Sequence, residues 1–208
     1  MFFGGLRRFS AADEAYDLLE IYRDRLGLPD HVVERGREVF DRVKDTELLK
    51  YRGSLWVRAV MAASIYIACR ESGIPVRFKD FELESSPLPR NTLELLLRTP
   101  AHQIARAYNK VVELLDLKTP RPNPHLFLRQ IAERLGLDKQ SVEKAEQLVE
   151  EAVRRGDAAG MRPATLAAAA VYVVCGERLG LQSLEKASGV SRQAFKRHAE
   201  TLSRYVLE

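Results

Sequence analysis

The sequence predicts an all-α protein built from two copies of one helical unit. The apolar octet AASIYIAC at 62–69 reappears as AAAVYVVC at 168–175, a separation of 106 positions. Leu-Gly-Leu precedes each octet, at 26–28 and at 135–137. Sustained alternation of apolar and polar residues is lacking, as are Asn-Gly and Asp-Gly hairpin turns, so strands are not expected. Self-similarity at a period of about one hundred residues indicates duplication of a whole folding unit.

The first two helices of each unit follow from capping signals and periodicity. Ser10 and Asp13 have the spacing of a capping box, and apolar residues then recur at helical intervals, which predicts a helix over about 10–26. Asp30 follows the first Leu-Gly-Leu, and Asp138 follows the second. Both are therefore candidate N-cap residues for the second helix of their unit.

The octets predict the central helix of each unit, at about 55–72 and 163–179. These segments are apolar on almost every side and rich in alanine, as expected for a helix enclosed by other helices at close distance. Pro163 stands in the first turn, where proline is favoured. Cys69 and Cys175 each lie in one octet, and a buried apolar role is predicted for both rather than a disulfide between the units.

A proline-rich segment separates the two units. Residues 118–124 read KTPRPNP, with three prolines in seven residues. This composition is incompatible with a helix and is typical of a semi-rigid connector. The predicted organisation is a first unit at 10–117, the connector at 118–124 and a second unit at 125–208.

The end of the second unit has the pattern of a helix-turn-helix. A short helix at 183–188 is followed by Gly-Val-Ser at 189–191, with Ser191 as N-cap, and then by a longer basic helix. The start of that helix carries residues suited to base edges and phosphates in a major groove: Arg192, Gln193, Lys196 and Arg197. A solvated helix face has the same charge pattern, so the motif alone leaves both interpretations open.

Composition and residue types exclude several classes of protein. With 46% hydrophobic and 30% charged residues, a net charge of +4 and a pI of about 9.1, the chain should fold and can accept nucleic acid as a partner. No apolar run is long enough for a membrane span, and the start does not read as a signal peptide, so an intracellular location is expected. Neither an enzyme, a metal site, a cofactor nor a small-molecule substrate is expected, because the histidines are scattered without ligand spacing or a neighbouring nucleophile: His31, His102, His125 and His198.

Ordered segments in both units resemble the C-terminal core of transcription factor IIB and its archaeal counterpart, transcription factor B. In the first unit these segments are Arg52-Gly53, ASIYIACR within the octet helix, and GIPVRFKD after it. In the second unit they are FLRQIA after Pro124, Arg162-Pro163 before AAAAVY, and GVS at 189–191. The resemblance covers residues 12–207 and implies two tandem five-helix cyclin-like repeats, the second ending in the helix-turn-helix.

The resemblance implies a general transcription initiation factor. Such a factor binds the complex of TATA-box-binding protein with promoter DNA, reads the element upstream of the TATA box and helps to recruit RNA polymerase. It would be cytoplasmic and associated with the nucleoid in an archaeon, and nuclear in a eukaryote. The family's second helix-turn-helix implies DNA contacts for Gln193 and Lys196, with Arg192 and Arg197 beside them. The family's loop before the first octet helix implies a DNA contact for Arg52 and Gly53, and the helix after Thr99-Pro100 adds three candidates for a DNA or partner contact: Gln103, Arg106 and Lys110.

Two departures from the family pattern leave alternatives open. Family members normally begin with a zinc ribbon, but no cysteine precedes Cys69, so a core fragment or a paralogue without a ribbon is expected. An insertion at about 85–98 enters the first repeat, where it either folds back on the core or binds a partner. A cyclin-type protein-interaction module and a regulatory paralogue without initiation activity are the alternative functions. The basic helix at 192–197 favours the transcription factor, because a cyclin needs no base-reading side chains there.

Overall fold

The computed structural model of the chain describes residues 11–50, 52–82 and 99–205. In these ranges all regular structure is helical and no strand occurs, which confirms the predicted all-α class. The chain forms two compact units that divide between Arg121 and Pro122. Ser10 and the insertion at 85–98 lie outside the described residues. No helix of the described ranges is long and apolar enough to cross a membrane.

The first unit is arranged around the helix that contains the first octet. Its described helices are α1 (Ala11–Leu26), α2 (Asp30–Val43), α3 (Ser54–Glu71), a 3-10 helix (Phe78–Phe81) and α4 (Ala101–Leu115). Helix α3 contacts α1, α2 and α4, and every residue from 57 to 69 is buried. The octet therefore forms the central helix of its unit, as predicted.

The second unit repeats this arrangement with five α-helices in its described residues. They are α5 (Pro124–Leu135), α6 (Lys139–Arg155), α7 (Pro163–Cys175), α8 (Leu181–Ser188) and α9 (Arg192–Leu202), with 3-10 turns at Gly176–Arg178 and Ser203–Tyr205. Helix α7 contacts the other four helices, and residues 164–171 are all buried. Pro163 is its first residue, as predicted.

Two predicted details of the helix ends are wrong. Helix α7 ends at Cys175 rather than near 179, because Gly176 adopts φ 55° and ψ −140° and a 3-10 turn follows. Asp30 is not an N-cap: Pro29 takes that position without a side-chain bond, and Asp30 begins the helix, where its charge suits the helix dipole. The prediction for Asp138 is confirmed. Its carboxylate accepts the backbone N–H of Ser141 at 2.9 Å, and this bond lowers the pKa of the Asp138 carboxyl.

The octet cysteines are both free thiols. Cys69 is buried, and its burial raises the pKa of the thiol to about 12. Cys175 is half-buried, and burial raises its pKa too. The predicted apolar role is confirmed for Cys69 and only partly met at Cys175, which lies at the end of its helix.

Close approach of α2 to α3 depends on Gly36. A Cβ added at this position would lie 3.0 Å from Ile65 Cγ1 and 3.1 Å from Ile65 Cα. The second of these atoms belongs to the backbone and cannot rotate away. Gly36 therefore sets the distance between the two helices, even though glycine weakens a helix interior by about 1 kcal/mol.

Replacing Gly36 with valine should lower the free energy of unfolding by about 1–3 kcal/mol, because the added methyl groups overpack the contact with Ile65. The measurement is urea unfolding followed by circular dichroism. Glu34→Val is the matched control, since Glu34 is exposed on the same helix and the change should cost no more than about 0.5 kcal/mol. Equal stability of the two variants would contradict the tight contact.

Candidate nucleic-acid interface

Helices α8 and α9 are joined by a turn of three residues, 189–191, whose backbone is fixed by local hydrogen bonds. Gly189 adopts a left-handed conformation at φ 60° and donates its N–H to the carbonyl of Glu185 at 2.8 Å. Ser188 Oγ donates to the carbonyl of Leu184 at 2.7 Å and accepts the N–H of Val190 at 3.1 Å. Glycine suits this position because the left-handed region strains other residues. Two helices joined by a three-residue turn thus lie where the sequence predicts the helix-turn-helix.

Helix α9 packs against its unit with one face and exposes the opposite face to solvent. Phe195 and Leu202 are fully buried, and the rings of Phe195 and Tyr172 lie 5.4 Å apart between centroids. Four residues predicted as DNA contacts are all exposed: Arg192, Gln193, Lys196 and Arg197. Ser191 is the N-cap, as predicted, but its side chain makes no capping hydrogen bond. The structure therefore presents the predicted residues together at the start of one rigidly packed helix.

The four exposed residues differ in their partners. Arg192 Nε donates to Glu185 Oε2 at 2.7 Å, which links α9 to α8. Lys196 and Arg197 make no ion pair with any residue that the structure describes. Their charges are consequently available to an external anion, whereas that of Arg192 is partly balanced.

Arg134 is a positioning residue that the sequence did not suggest. It lies on α5 and donates from Nη1 to the carbonyl of Ala187 at 2.8 Å, across 53 residues of sequence. Ala187 is in the last turn of α8, where carbonyls lack helical partners and a cation is favoured. The contact ties the end of α8 to α5 and so fixes where the turn and α9 begin.

The first unit carries the other predicted contacts, near the start of α3. Arg52 and Gly53 are exposed, and Gly53 is the N-cap of α3 with φ −71°. A Cβ added at Gly53 would meet nothing within 4 Å. Neither backbone conformation nor packing within the chain therefore requires glycine at this position.

Arg106 on α4 is brought to the same end of α3. Its guanidinium carbon lies 5.6 Å from the centroid of the Trp56 ring, and the Trp56 indole donates to the carbonyl of Leu48 at 2.9 Å. The ring thus orients Arg106 beside the first turn of α3. Trp56 is not predicted in this role, because its contact with Arg106 joins two different helices.

Gln103 and Lys110 share this face of α4 but are less free to bind. Gln103 is half-buried and hydrogen-bonds to His102 at 3.3 Å. Lys110 is exposed and pairs with Glu113 at 2.9 Å. Of the three predicted residues on α4, Arg106 is the one with an oriented and exposed cation. No cluster of metal ligands occurs among residues 11–50, 52–82 and 99–205.

The described residues thus form two all-helical units, and the second ends in two helices joined by a short turn, with exposed cations at the start of α9. The family model of the transcription factor TFIIB repeat matches the chain at residues 11–84 and again at 117–201. The chain therefore belongs to the TFIIB repeat family. The resemblance seen in the sequence is confirmed.

Similar proteins come from several organisms. The transcription initiation factor IIB of Pyrobaculum islandicum is 30% identical over 197 residues, which are 91% of this chain and 55% of that protein. Transcription initiation factor IIB 2 of Thermoplasma acidophilum is 26% identical over 193 residues, which are 91% of this chain and 58% of that protein. The chain spans about half the length of these curated relatives. They are named as transcription factors, in agreement with the prediction of a protein that is not an enzyme.

A solved structure of a viral cyclin from herpesvirus saimiri aligns with this chain at 15% identity and a TM-score of 0.38. The alignment covers 95% of this chain and 85% of the cyclin chain. A similarity of that size carries no information on function. The cyclin alternative consequently has no independent support.

Replacing Arg134 with alanine should loosen the helix-turn-helix locally. Loss of the bond to Ala187 should lower amide hydrogen-exchange protection at residues 184–190 about fivefold, which corresponds to ~1 kcal/mol. The matched control is Arg129→Ala on the same helix, because the exposed Arg129 side chain pairs with Glu146 rather than with the turn. Its effect on the same amides should be negligible. Identical exchange in the two variants would show that Arg134 does not hold the turn.

Proposed function

We propose that this chain is the promoter-binding core of a transcription initiation factor. In this role it binds the complex of TATA-box-binding protein with promoter DNA, reads the element upstream of the TATA box and helps to recruit RNA polymerase. Family membership and the names of the relatives support the general role. The observation that carries the proposal is the exposed basic start of α9 on a firmly packed helix-turn-helix.

Helix α9 supplies two kinds of contact in this proposal. Lys196 and Arg197, which have no acidic partner among the described residues, would neutralise phosphates. Gln193 and Arg192 stand at the first two positions of the helix, where a major-groove helix points side chains at base edges. An amide pairs with adenine and a guanidinium with guanine. The helix thus combines affinity with sequence preference.

The first unit would touch DNA at the start of α3. Packing within the chain does not require glycine at position 53. In this proposal the missing side chain lets a phosphate backbone come close. Arg52 and Arg106 stand beside that point as exposed cations. This surface provides a contact with DNA that is independent of α9.

Modest charge makes the proposed binding dependent on the partner protein. A net charge of +4 is small for a chain of 208 residues, and about four to six phosphate contacts would give a salt slope near −4 to −5. Binding to free DNA should therefore be weak. TATA-box-binding protein would add the surface that makes the complex stable.

The double variant Lys196→Ala/Arg197→Ala should weaken binding to the promoter complex about tenfold at low salt and reduce the magnitude of the salt slope by about two. A gel-shift titration on TATA-containing DNA, with and without TATA-box-binding protein, measures both quantities. The control variant Lys139→Ala/Lys144→Ala on α6 removes the same charge from exposed positions. It should change neither the affinity nor the salt slope appreciably. A folded chain that never shifts the complex would remove promoter binding as the function.

The Gly53→Ser variant separates an effect on DNA binding from an effect on the stability of the chain. Serine is at least as good an N-cap as glycine, so the melting temperature of the chain should stay the same or rise slightly. If DNA passes close to this point, the new side chain should weaken the partner-dependent shift about threefold or more. Unaltered affinity in the stable variant would exclude close contact at Gly53.

A further inference from the structure

We infer that Glu185 is a positioning residue for Arg192, which it holds so that the guanidinium reads a base edge instead of neutralising a phosphate. This inference rests on the proposed function, because it concerns how the same helix-turn-helix discriminates between sequences. It assigns a role in specificity to an acidic residue on the first helix of the motif.

The contact joins the two helices at a fixed place. Glu185 lies on α8, Arg192 is the first residue of α9, and Arg192 Nε donates to Glu185 Oε2 at 2.7 Å. The Arg192 side chain is 49% exposed and that of Glu185 is 37% exposed, so a ligand can reach both. The backbone carbonyl of Glu185 accepts the N–H of Gly189 at 2.8 Å. The carboxylate is therefore presented from a hydrogen-bonded helix end next to the turn.

Glu185 occupies only the inner nitrogen of Arg192. Within the described part of the chain neither Nη atom of Arg192 makes a hydrogen bond. Arg35 differs, because its Nε and Nη2 bind Glu71 and its Nη1 binds Glu38. The two outer nitrogens of Arg192 thus remain as a parallel pair of donors. Such a pair matches the O6 and N7 acceptors of guanine.

Glu185 also reduces the charge that Arg192 presents to the DNA backbone. A carboxylate 2.7 Å away offsets much of the guanidinium charge at longer distances, so attraction to phosphates falls equally on every sequence. The hydrogen bonds that the Arg192 guanidinium can donate to a base edge depend on direction, so the nearby carboxylate does not remove them. Lys196 and Arg197 have no such carboxylate in the described residues. The motif consequently divides its cations between phosphate attraction and base reading.

Glu185→Gln tests this division because it keeps the shape of the side chain and removes its charge. In gel shifts with TATA-box-binding protein, affinity for duplexes with a scrambled upstream element should rise. The ratio of affinities between the preferred and scrambled elements should fall about threefold or more. The salt slope should steepen by about one, because Arg192 becomes free to neutralise a phosphate.

Two matched variants isolate the contact with Arg192. Glu200→Gln removes the same charge from an exposed position on α9, so it should raise affinity on all duplexes and leave the ratio unchanged. In an Arg192→Ala background, Glu185→Gln should no longer alter the ratio. A structural role for Glu185 would instead change the ratio in both backgrounds.

The outcomes distinguish failure of the inference from failure of the proposed function. If Glu185→Gln leaves the ratio and the slope unchanged while Lys196→Ala/Arg197→Ala still weakens binding, the role of Glu185 is wrong and promoter binding stands. If Lys196→Ala/Arg197→Ala, Arg192→Ala and Glu185→Gln all bind every duplex as the unaltered chain does, α9 does not contact DNA. The proposed use of the helix-turn-helix would then fail together with the inference.

Discussion

The close packing of an alanine-rich central helix is the constraint on which each unit depends. Helices α3 and α7 are buried over most of their length, and small side chains let the surrounding helices approach them closely. Gly36 extends the same requirement to α2, where even one added carbon would press on Ile65. The chain repeats its octet because each unit has to enclose such a helix.

That packing also explains why the proposed binding surfaces are rigid. Phe195 anchors α9 on the ring of Tyr172, which belongs to the second octet, and Trp56 at the start of α3 orients Arg106. The residues offered to a ligand on α9 and α4 therefore lie on helices that pack directly against the central helix of their unit. Preorganised side chains lose less entropy on binding, which favours recognition of a defined DNA shape.

The sequence was informative where the signal is local or repeated. The repeated, almost wholly apolar octet located the central helices, and the turn chemistry of Gly189 located the turn between α8 and α9, because each signal depends on neighbouring residues. The end of α7 was placed too late because the turn depends on the backbone conformation of Gly176, which the sequence pattern does not specify. Arg134 was missed because its contact spans 53 residues, and Glu185 was missed because a surface carboxylate has no pattern of its own. Long-range contacts of single side chains are not encoded in periodicity.

The most direct test of DNA contact by α9 is a hydroxyl-radical footprint on promoter DNA bound by TATA-box-binding protein, with and without this chain. If α9 contacts the upstream element, protection should extend upstream of the TATA box, and this extension should require both proteins. Tethering a cleavage reagent at position 193 should then cut within that protected stretch, since Gln193 is exposed at the start of α9. Protection confined to the TATA box, with no cleavage from position 193, would contradict the placement of α9 on DNA.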